Sequence, residues 1–504
     1  MTDYWILAPI ALPLMAAVLA LLVRANLRAQ KAVVLTTLTL ACAASVALLA
    51  ECGSGRIVTL AMGSWPAPYG IVLVADLLSA LMLVACNGVA LVVTIYAFRQ
   101  LTDEEQGAFY HPLSLLLLLG VNGSLLTGDL FNLYVWFEVM LLASFVLLTL
   151  GRKREQLEGA LKYVALNLLA SMLFLIAVGL LYGKTGTLNL ADLSSKLALE
   201  SDTYLVETTG ILLLVAFGIK AALFPFFFWL PAAYHTPPVA ITAMFAGLLT
   251  KVGVYAIMRV FTLVFDLEQG MLGHWLVWIA GFTMVVGVLG AAAHFEVKRI
   301  LSFHIVSQIG YMIMGLTFLT PLALGGVIFF VIHNMVAKTN LFLVAGMIER
   351  QCGSTDLKRT GGLFVKEPLI AGIFLISAIS LAGLPPFSGF WAKFSLVQAG
   401  FEVGDYLIVG ISLAVGIMTL FSMTKIWGEA FWKSLPEPEP ASPSGSAGRI
   451  SWWMMMPAIF LACMAIVMGL VSEPFLAVME RAGEQLLDPQ NYINAVLQMK
   501  GGGS

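Results

Sequence analysis

The feature that governs everything else is a succession of long apolar runs. They fall near 4–24, 32–51, 71–98, 112–128, 130–150, 160–182, 208–230, 238–262, 274–293, 300–319, 322–349, 368–400, 405–433 and 451–476. Each is long enough to cross about 30 Å of hydrocarbon as a helix. Lipid offers no partners to backbone N–H and C=O groups, so such a run must satisfy them internally. None shows the ten-residue alternation of a membrane barrel. The expectation is an all-α polytopic membrane protein with about fourteen transmembrane helices. Composition agrees: 60% of the 504 residues are hydrophobic and 11% charged, where a soluble domain carries about 25% charged. Lys plus Arg (27) nearly balances Asp plus Glu (29), which leaves no basic surplus for nucleic acid.

An even number of crossings puts both termini on one side. With the termini outside, the inner loops hold fifteen Lys and Arg, among them Lys153, Lys298 and Arg299. The outer loops then hold six, among them Arg259. The positive-inside rule favours that orientation. The first run has Asp3 where a signal peptide carries positive charge, so it is kept as a helix. The expected layout is three helices in 1–111, spans 4–8 in 112–266 and spans 9–13 in 267–433. A Pro/Ser/Glu-rich inner linker follows in 434–450, then a last helix and tail in 451–500, while 501–504 reads as a cloning remnant. Five scattered cysteines have no C-x-x-C spacing, and neither a metal-ligand cluster nor a phosphate-binding G-x-x-x-x-G-K-[ST] loop is present. No metal, cluster or cofactor is expected.

Six basic residues fall inside spans: Lys162, Lys220, Lys251, Lys338, Lys393 and Lys425. Lys162 lies close enough to an inner end to snorkel, as does Lys425. The other four are deep, with Lys220 about twelve residues, roughly 18 Å, into its span. Each costs a few kcal/mol or more at the bilayer centre unless paired or hydrated. A lone buried lysine reads as a structural ion pair; four together do not. Lysine can give up its proton when its surroundings change, whereas arginine does not, so the row reads as a proton relay. Glu138 is the one carboxylate deep in a long span, whereas Asp76 and Asp129 read as interfacial. His333 shares a span with Asn334 and Lys338 and is a relay candidate. His304 is placed where protons would come in from the inner side, and His235 in a turn.

Two spans carry internal prolines: Pro225 and Pro231 in the seventh, Pro385 and Pro386 in the twelfth. Proline breaks a helix, and a break is tolerated in a membrane only where protein or a cavity covers it. Paired broken helices point to inverted repeats around a central pathway. Lys220 and Lys393 are offset by 173 residues, Lys251 and Lys425 by 174, which suggests two five-helix repeats of opposite topology (spans 4–8 and 9–13).

The stretches Asp129–Phe145, Gly218–Arg259, Lys298–Gly315, His333–Glu349 and Leu381–Phe394 resemble the antiporter-like subunits shared by respiratory complex I, membrane-bound hydrogenases and Mrp-type cation/proton antiporters. Through Asn132–Glu138 the chain most resembles the D subunits of the Mrp-type Na+/H+ antiporters. The resemblance implies fourteen core helices with the seventh and twelfth broken. It also implies a charged axis of Glu138 with Lys220, then Lys251, His333 with Lys338, and Lys393. It further implies a proton-translocating subunit of a multisubunit Na+/H+ antiporter in a bacterial cell membrane. The ions carried would be H+ and Na+, and the partners a larger homologous A subunit and small hydrophobic subunits. The alternative is a proton-pumping subunit of a redox-driven complex. A stand-alone solute transporter lacks a recognisable polar pocket, and a purely structural subunit needs no lysine row.

Overall fold

The structure, a computed structural model, describes residues 4–151, 153–200, 202–265, 267, 271–434 and 450–498. Six helices come first: α1 Tyr4–Leu22, α2 Leu27–Cys52, α3 Leu77–Gln100, α4 Asp103–Leu126, α5 Leu130–Leu148 and α6 Arg154–Thr185. A short α7, Leu190–Leu197, leads to α8 Thr203–Ala221 and α9 Trp229–Tyr234, the two parts of the seventh crossing. Then come α10 Val239–Leu263, α11 Met271–Ala293, α12 Val297–Thr317 and α13 Pro321–Cys352. The twelfth crossing is again in two parts, α14 Pro368–Ala382 and α15 Ser388–Val403, followed by α16 Tyr406–Trp432 and α17 Trp452–Leu470. Among the described residues thirteen helices are long and apolar enough to cross a membrane. The interrupted α14–α15 pair completes the expected fourteen.

Three features were not anticipated. A small antiparallel hairpin, β1 Val58–Ala61 with β2 Val72–Ala75, covers the end of α3. The C-terminal tail is helical, as α18 Ser472–Leu487 and α19 Pro489–Leu497. Lys425, expected to mirror Lys251, does not occupy an equivalent depth. It lies in the last turns of α16, and its Nζ donates to the carbonyls of Ala292 (2.7 Å) and His294 (2.6 Å) at the C-terminal end of α11. Lys251 is halfway along α10. Lys220 and Lys393 are not equivalent either: Lys220 precedes the break in its crossing and Lys393 follows the break in its own, so the equal spacing in sequence marks no matching depth in either pair. The 434–450 linker, beyond its first and last residues, and 501–504 lie outside the described residues.

The two broken helices end alike. Ala222 (φ 63°) and Gly383 (φ 90°) adopt the left-handed conformation that closes α8 and α14. Leu223 N–H then bonds back to Gly218 O (2.8 Å), and Leu384 N–H to Ile379 O (3.3 Å), which satisfies carbonyls left open at a helix end. Cis peptide bonds precede Pro225 and Pro386. Protein covers the first break: Phe224 N–H donates to Thr283 Oγ1 (3.0 Å) and Trp229 Nε1 to Ile219 O (2.9 Å). Pro231 is not itself a break. It stands in the first turn of α9, where a missing N–H costs nothing.

Helices α10, α12 and α13 are enclosed by protein along nearly their whole length, while α1, α2, α6 and α16 bury less than half of theirs. The polar residues of the enclosed three therefore face protein rather than lipid. α10 reaches α8 through Gly253, where an added Cβ would stand 2.7 Å from Ala221 N and 3.0 Å from Lys220 C. Overpacking at such a contact costs about 1–3 kcal/mol. Gly253→Val is accordingly expected to lower the melting temperature of the detergent-purified protein. A variant that melts like the parent would show that this contact is not tight.

Candidate functional site

Glu138 projects from α5, whose first turn is fixed by Asp129 accepting from Asn132 N–H (2.7 Å). Asp129, read from sequence as interfacial, is a helix cap. Lys220 lies in the last turn of α8, not midway along a helix. The helix begins at Thr203 and stops at Ala221, so Lys220 sits at the negative end of its dipole. Lys220 Nζ is 3.9 Å from Glu138 Oε1. Between them stands Ser171 of α6, whose hydroxyl donates to Glu138 Oε1 and accepts from Lys220 Nζ (3.3 Å). Lys220 is 5% exposed and Glu138 26%, so the pair opens on the flank of α5 and α6.

The Gly253 contact carries the row from Lys220 into α10. Lys251 is fully buried, and its Nζ donates to Ala246 O (2.7 Å) and Thr250 Oγ1 (3.4 Å). One turn earlier, Gly247 lies against Thr339 of α13, the residue after Lys338. Lys338, also fully buried, donates to Leu301 O of α12 (3.3 Å). His304 is one turn along α12 from Leu301. Sequence reading put His304 where protons come in. It is instead wholly buried in the interior, because α12 runs inward behind Lys298 and is walled on all sides.

His333 Nδ1 is 2.8 Å from Ser388 Oγ at the start of α15, and Gly389 packs against the other side of the ring. One turn on, Lys393 reaches back across the break to Ala382 O (2.9 Å), the last carbonyl of α14, and lies 4.9 Å from the Tyr311 ring centre. It borders a cavity of about 300 Å³ lined by Tyr311, Gly383, Phe390, Ser412 and Gly416. Between Lys338 and Lys393 several buried polar groups have no hydrogen-bond partner among the described residues: both ends of His304, Gln308 and Asn334, His333 Nε2 and Thr339 Oγ1. Buried polar groups are ordinarily satisfied, by protein or by ordered water. This cluster suits a file of water. No grouping of three His, Cys, Asp or Glu suitable for a metal ion occurs among the described residues.

Comparison with known proteins fits this geometry. Residues 127–419 match the family described as NADH:quinone oxidoreductase/Mrp antiporter, TM. The chain is 45% identical to the D subunit of the Na(+)/H(+) antiporter of Alkalihalophilus pseudofirmus, over 90% of this chain and 91% of that one. The chain belongs to this family. Within it, a chain in the structure of the Mrp complex from Dietzia sp. DQ12-45-1b is 36% identical. It superposes with a TM-score of 0.91 over 98% of this chain and 99% of that one. A chain of the membrane-bound sulfane sulfur reductase, an archaeal respiratory membrane complex, is 26% identical, with a TM-score of 0.88 over 98% and 100%. The redox-linked relative is thus more distant in sequence. The antiporter-subunit names of its curated relatives support a transporter rather than an enzyme.

Around this family core the structure brings together groups that sequence reading had placed only singly. At the basic end a cavity of about 550 Å³ is lined by Lys153, His235, Glu296, Lys298, Arg299 and Glu349. His235 does shape the turn, with Nδ1 2.7 Å from Pro231 O and Nε2 3.0 Å from Arg299 Nη2. The guanidinium can only donate, so this arrangement requires the neutral ring with its proton on Nδ1. Burial lowers the pKa of His235 from its ordinary value; Glu296 opposes this and Arg299 adds to it. At the opposite end Asp76 and Arg259, expected at the interface and in an outer loop, form a buried ion pair, 3% and 6% exposed. The folded C-terminal helices cover them. No spacing rule could have found this pair, nor Ser171, since serine is common inside membrane helices.

Leucine is close to asparagine in size, and an apolar side chain in place of a buried polar one is nearly neutral or stabilising. Asn334→Leu is therefore expected to leave the melting temperature unchanged or to raise it. A clear fall would make Asn334 a packing residue instead.

Proposed function

We propose that this chain is the proton-conducting subunit of a multisubunit Na+/H+ antiporter in a bacterial plasma membrane, with both termini outside. The observation that carries this reading is the row of polar groups inside the helix bundle, Glu138–Ser171–Lys220, Lys251, Lys338, His333–Ser388 and Lys393, of which Lys220, Lys251, His333 and Lys338 are buried. Water and these side chains would pass protons along it. A proton on one ammonium disfavours a proton on its neighbour, so charge moves stepwise. Opening or closing the Glu138–Lys220 contact would change the proton affinity of Lys220 and, through the Gly253 contact, of Lys251.

The 45%-identical antiporter relative supports Na+ as the exchanged cation, and the Mrp complex supports other antiporter subunits as partners: a larger homologous A subunit and small hydrophobic ones. The chain would need no cofactor of its own. The sulfane sulfur reductase relative supports the same row working in a redox-driven complex, where the driving reaction would lie in other subunits. Purification through a tag separates the two. Small hydrophobic proteins with one larger homologue support the antiporter, whereas iron–sulfur, flavin or nickel subunits overturn it.

In everted vesicles, Glu138→Gln, Lys220→Ala and Lys393→Ala are expected to abolish Na+-dependent proton movement while the complex still assembles. Normal transport by an assembled Lys220→Ala complex would sink the relay. Ser171 positions the pair rather than carrying charge. Ser171→Ala should slow transport and displace its pH profile, and Ser171→Thr, which keeps the hydroxyl, should restore both. Equal loss in both variants would reduce Ser171 to packing.

A further inference from the structure

Asp76 stands apart from the other described acids. Among the described residues it is the one carboxylate that is nearly inaccessible, at 2%, and Arg259 beside it is 5% exposed. Arg259 Nη2 lies 2.6 Å from Asp76 Oδ2 and 2.7 Å from Oδ1. Asp76 also caps α3, accepting from Ser79 N–H (2.9 Å). Withdrawing both charges from water is expensive. Apolar side chains would pin α3 to α10 at least as well.

The pair is connected to the row. Lys251, Tyr255 and Arg259 are four residues apart on α10, which puts them on one stripe, about 6 Å per step. Tyr255 OH donates to Leu125 O (2.8 Å) and is 3.0 Å from Ser79 Oγ, which in turn is 3.4 Å from Arg259 Nη2. Hydroxyls thus lead from Tyr255 to the buried carboxylate, and the shared stripe puts Tyr255 one turn from Lys251, whose ammonium is turned to Ala246 O and has to swing along the stripe to reach it. The C-terminal helices close it off. The Tyr492 ring of α19 lies 5.3 Å from the Arg259 guanidinium, and Gln485 of α18 accepts from Leu77 N–H (3.1 Å). Asp129 is the other acid interacting with Tyr492 at this end.

We propose that Asp76 and Arg259, with Tyr255 and Ser79, form the gate through which the central Lys251 exchanges protons with the side opposite the basic end. This rests on the proton-relay reading above. When Arg259 turns away, Asp76 becomes able to take a proton. The proton leaves the Lys251 ammonium, hops along the hydroxyls of Tyr255 and Ser79 to the Asp76 carboxylate, and passes to bulk water, which leaves Lys251 a neutral amine. When Arg259 returns, Asp76 is held ionised and the file is shut. Tyr492 and Gln485 make opening depend on movement of α18 and α19.

The test uses the assembled complex in everted vesicles. Tyr255→Phe removes one hydroxyl and no packing. It is expected to cut the initial transport rate about 100-fold, the lower end of what a positioned proton-transfer group contributes, with assembly unchanged. The double variant Asp76→Asn/Arg259→Met removes both charges at similar size and is expected to assemble yet stay inactive. Wild-type rate and pH profile in Tyr255→Phe, or recovered transport in the double variant, would make the cluster a structural pin and overturn the gate. Glu138→Gln run in parallel separates the two readings. If it abolishes transport while Tyr255→Phe does not, only the gate falls; if neither has an effect, the relay falls with it.

Discussion

An ammonium group in the middle of a bilayer has to be met by an acceptor, and here the acceptor is almost always a main-chain carbonyl. Lys251 meets Ala246, Lys338 meets Leu301 and Lys393 meets Ala382. A regular helix has few carbonyls to spare, since each already receives the N–H four residues on. Breaking α14 at Gly383 leaves the carbonyl of Ala382 open, and Lys393 takes it. The second break is thus as much a device for solvating a cation as for making room. The choice of a neutral acceptor also matters chemically. A lysine held by a carboxylate leaves a buried negative charge behind when it loses its proton, whereas one held by a carbonyl leaves nothing charged.

Much of this was legible from residue types. Long apolar runs fix the number of crossings, because water-free backbone leaves few alternatives. Lysines inside those runs announce themselves by their cost, and paired prolines mark the breaks. What hydropathy cannot register is whether a residue faces lipid or protein, since both are apolar. That α10, α12 and α13 form the enclosed centre, and that His304 lies deep rather than at the mouth, came only from packing. Asp76 and Arg259 are 183 residues apart and lie near helix ends, where charge is ordinarily unremarkable. Their burial depends on a C-terminal tail whose composition gives no sign that it folds back. Ser171 was invisible for the opposite reason: nothing about a serine one turn after Asn167 separates it from any other small residue in α6. The equal offsets of the two lysine pairs show the limit of spacing arguments, because equal distance along the chain did not give Lys425 the depth of Lys251.

The charge pair at the Glu138 end of the row and the one on the branch from Lys251 differ in a way that bears on direction. Glu138 and Lys220 meet at 3.9 Å across a hydroxyl, with Glu138 partly exposed. Asp76 and Arg259 meet directly at 2.6 Å, both buried, and each sits where a helix dipole favours its charge: Asp76 at the start of α3, Arg259 near the end of α10. The first pair joins a group that can release its proton to one that can rotate away, and so yields to small changes in its surroundings. The second contains an arginine that stays charged and a carboxylate held by a backbone cap, so it opens only if its cover moves. On the proposed relay, a row with a soft contact at its Glu138 end and a hard one on the branch from Lys251 would fill readily but empty on demand. Coupling to a second ion requires that asymmetry: were both contacts equally soft, protons would leak down their gradient without driving exchange.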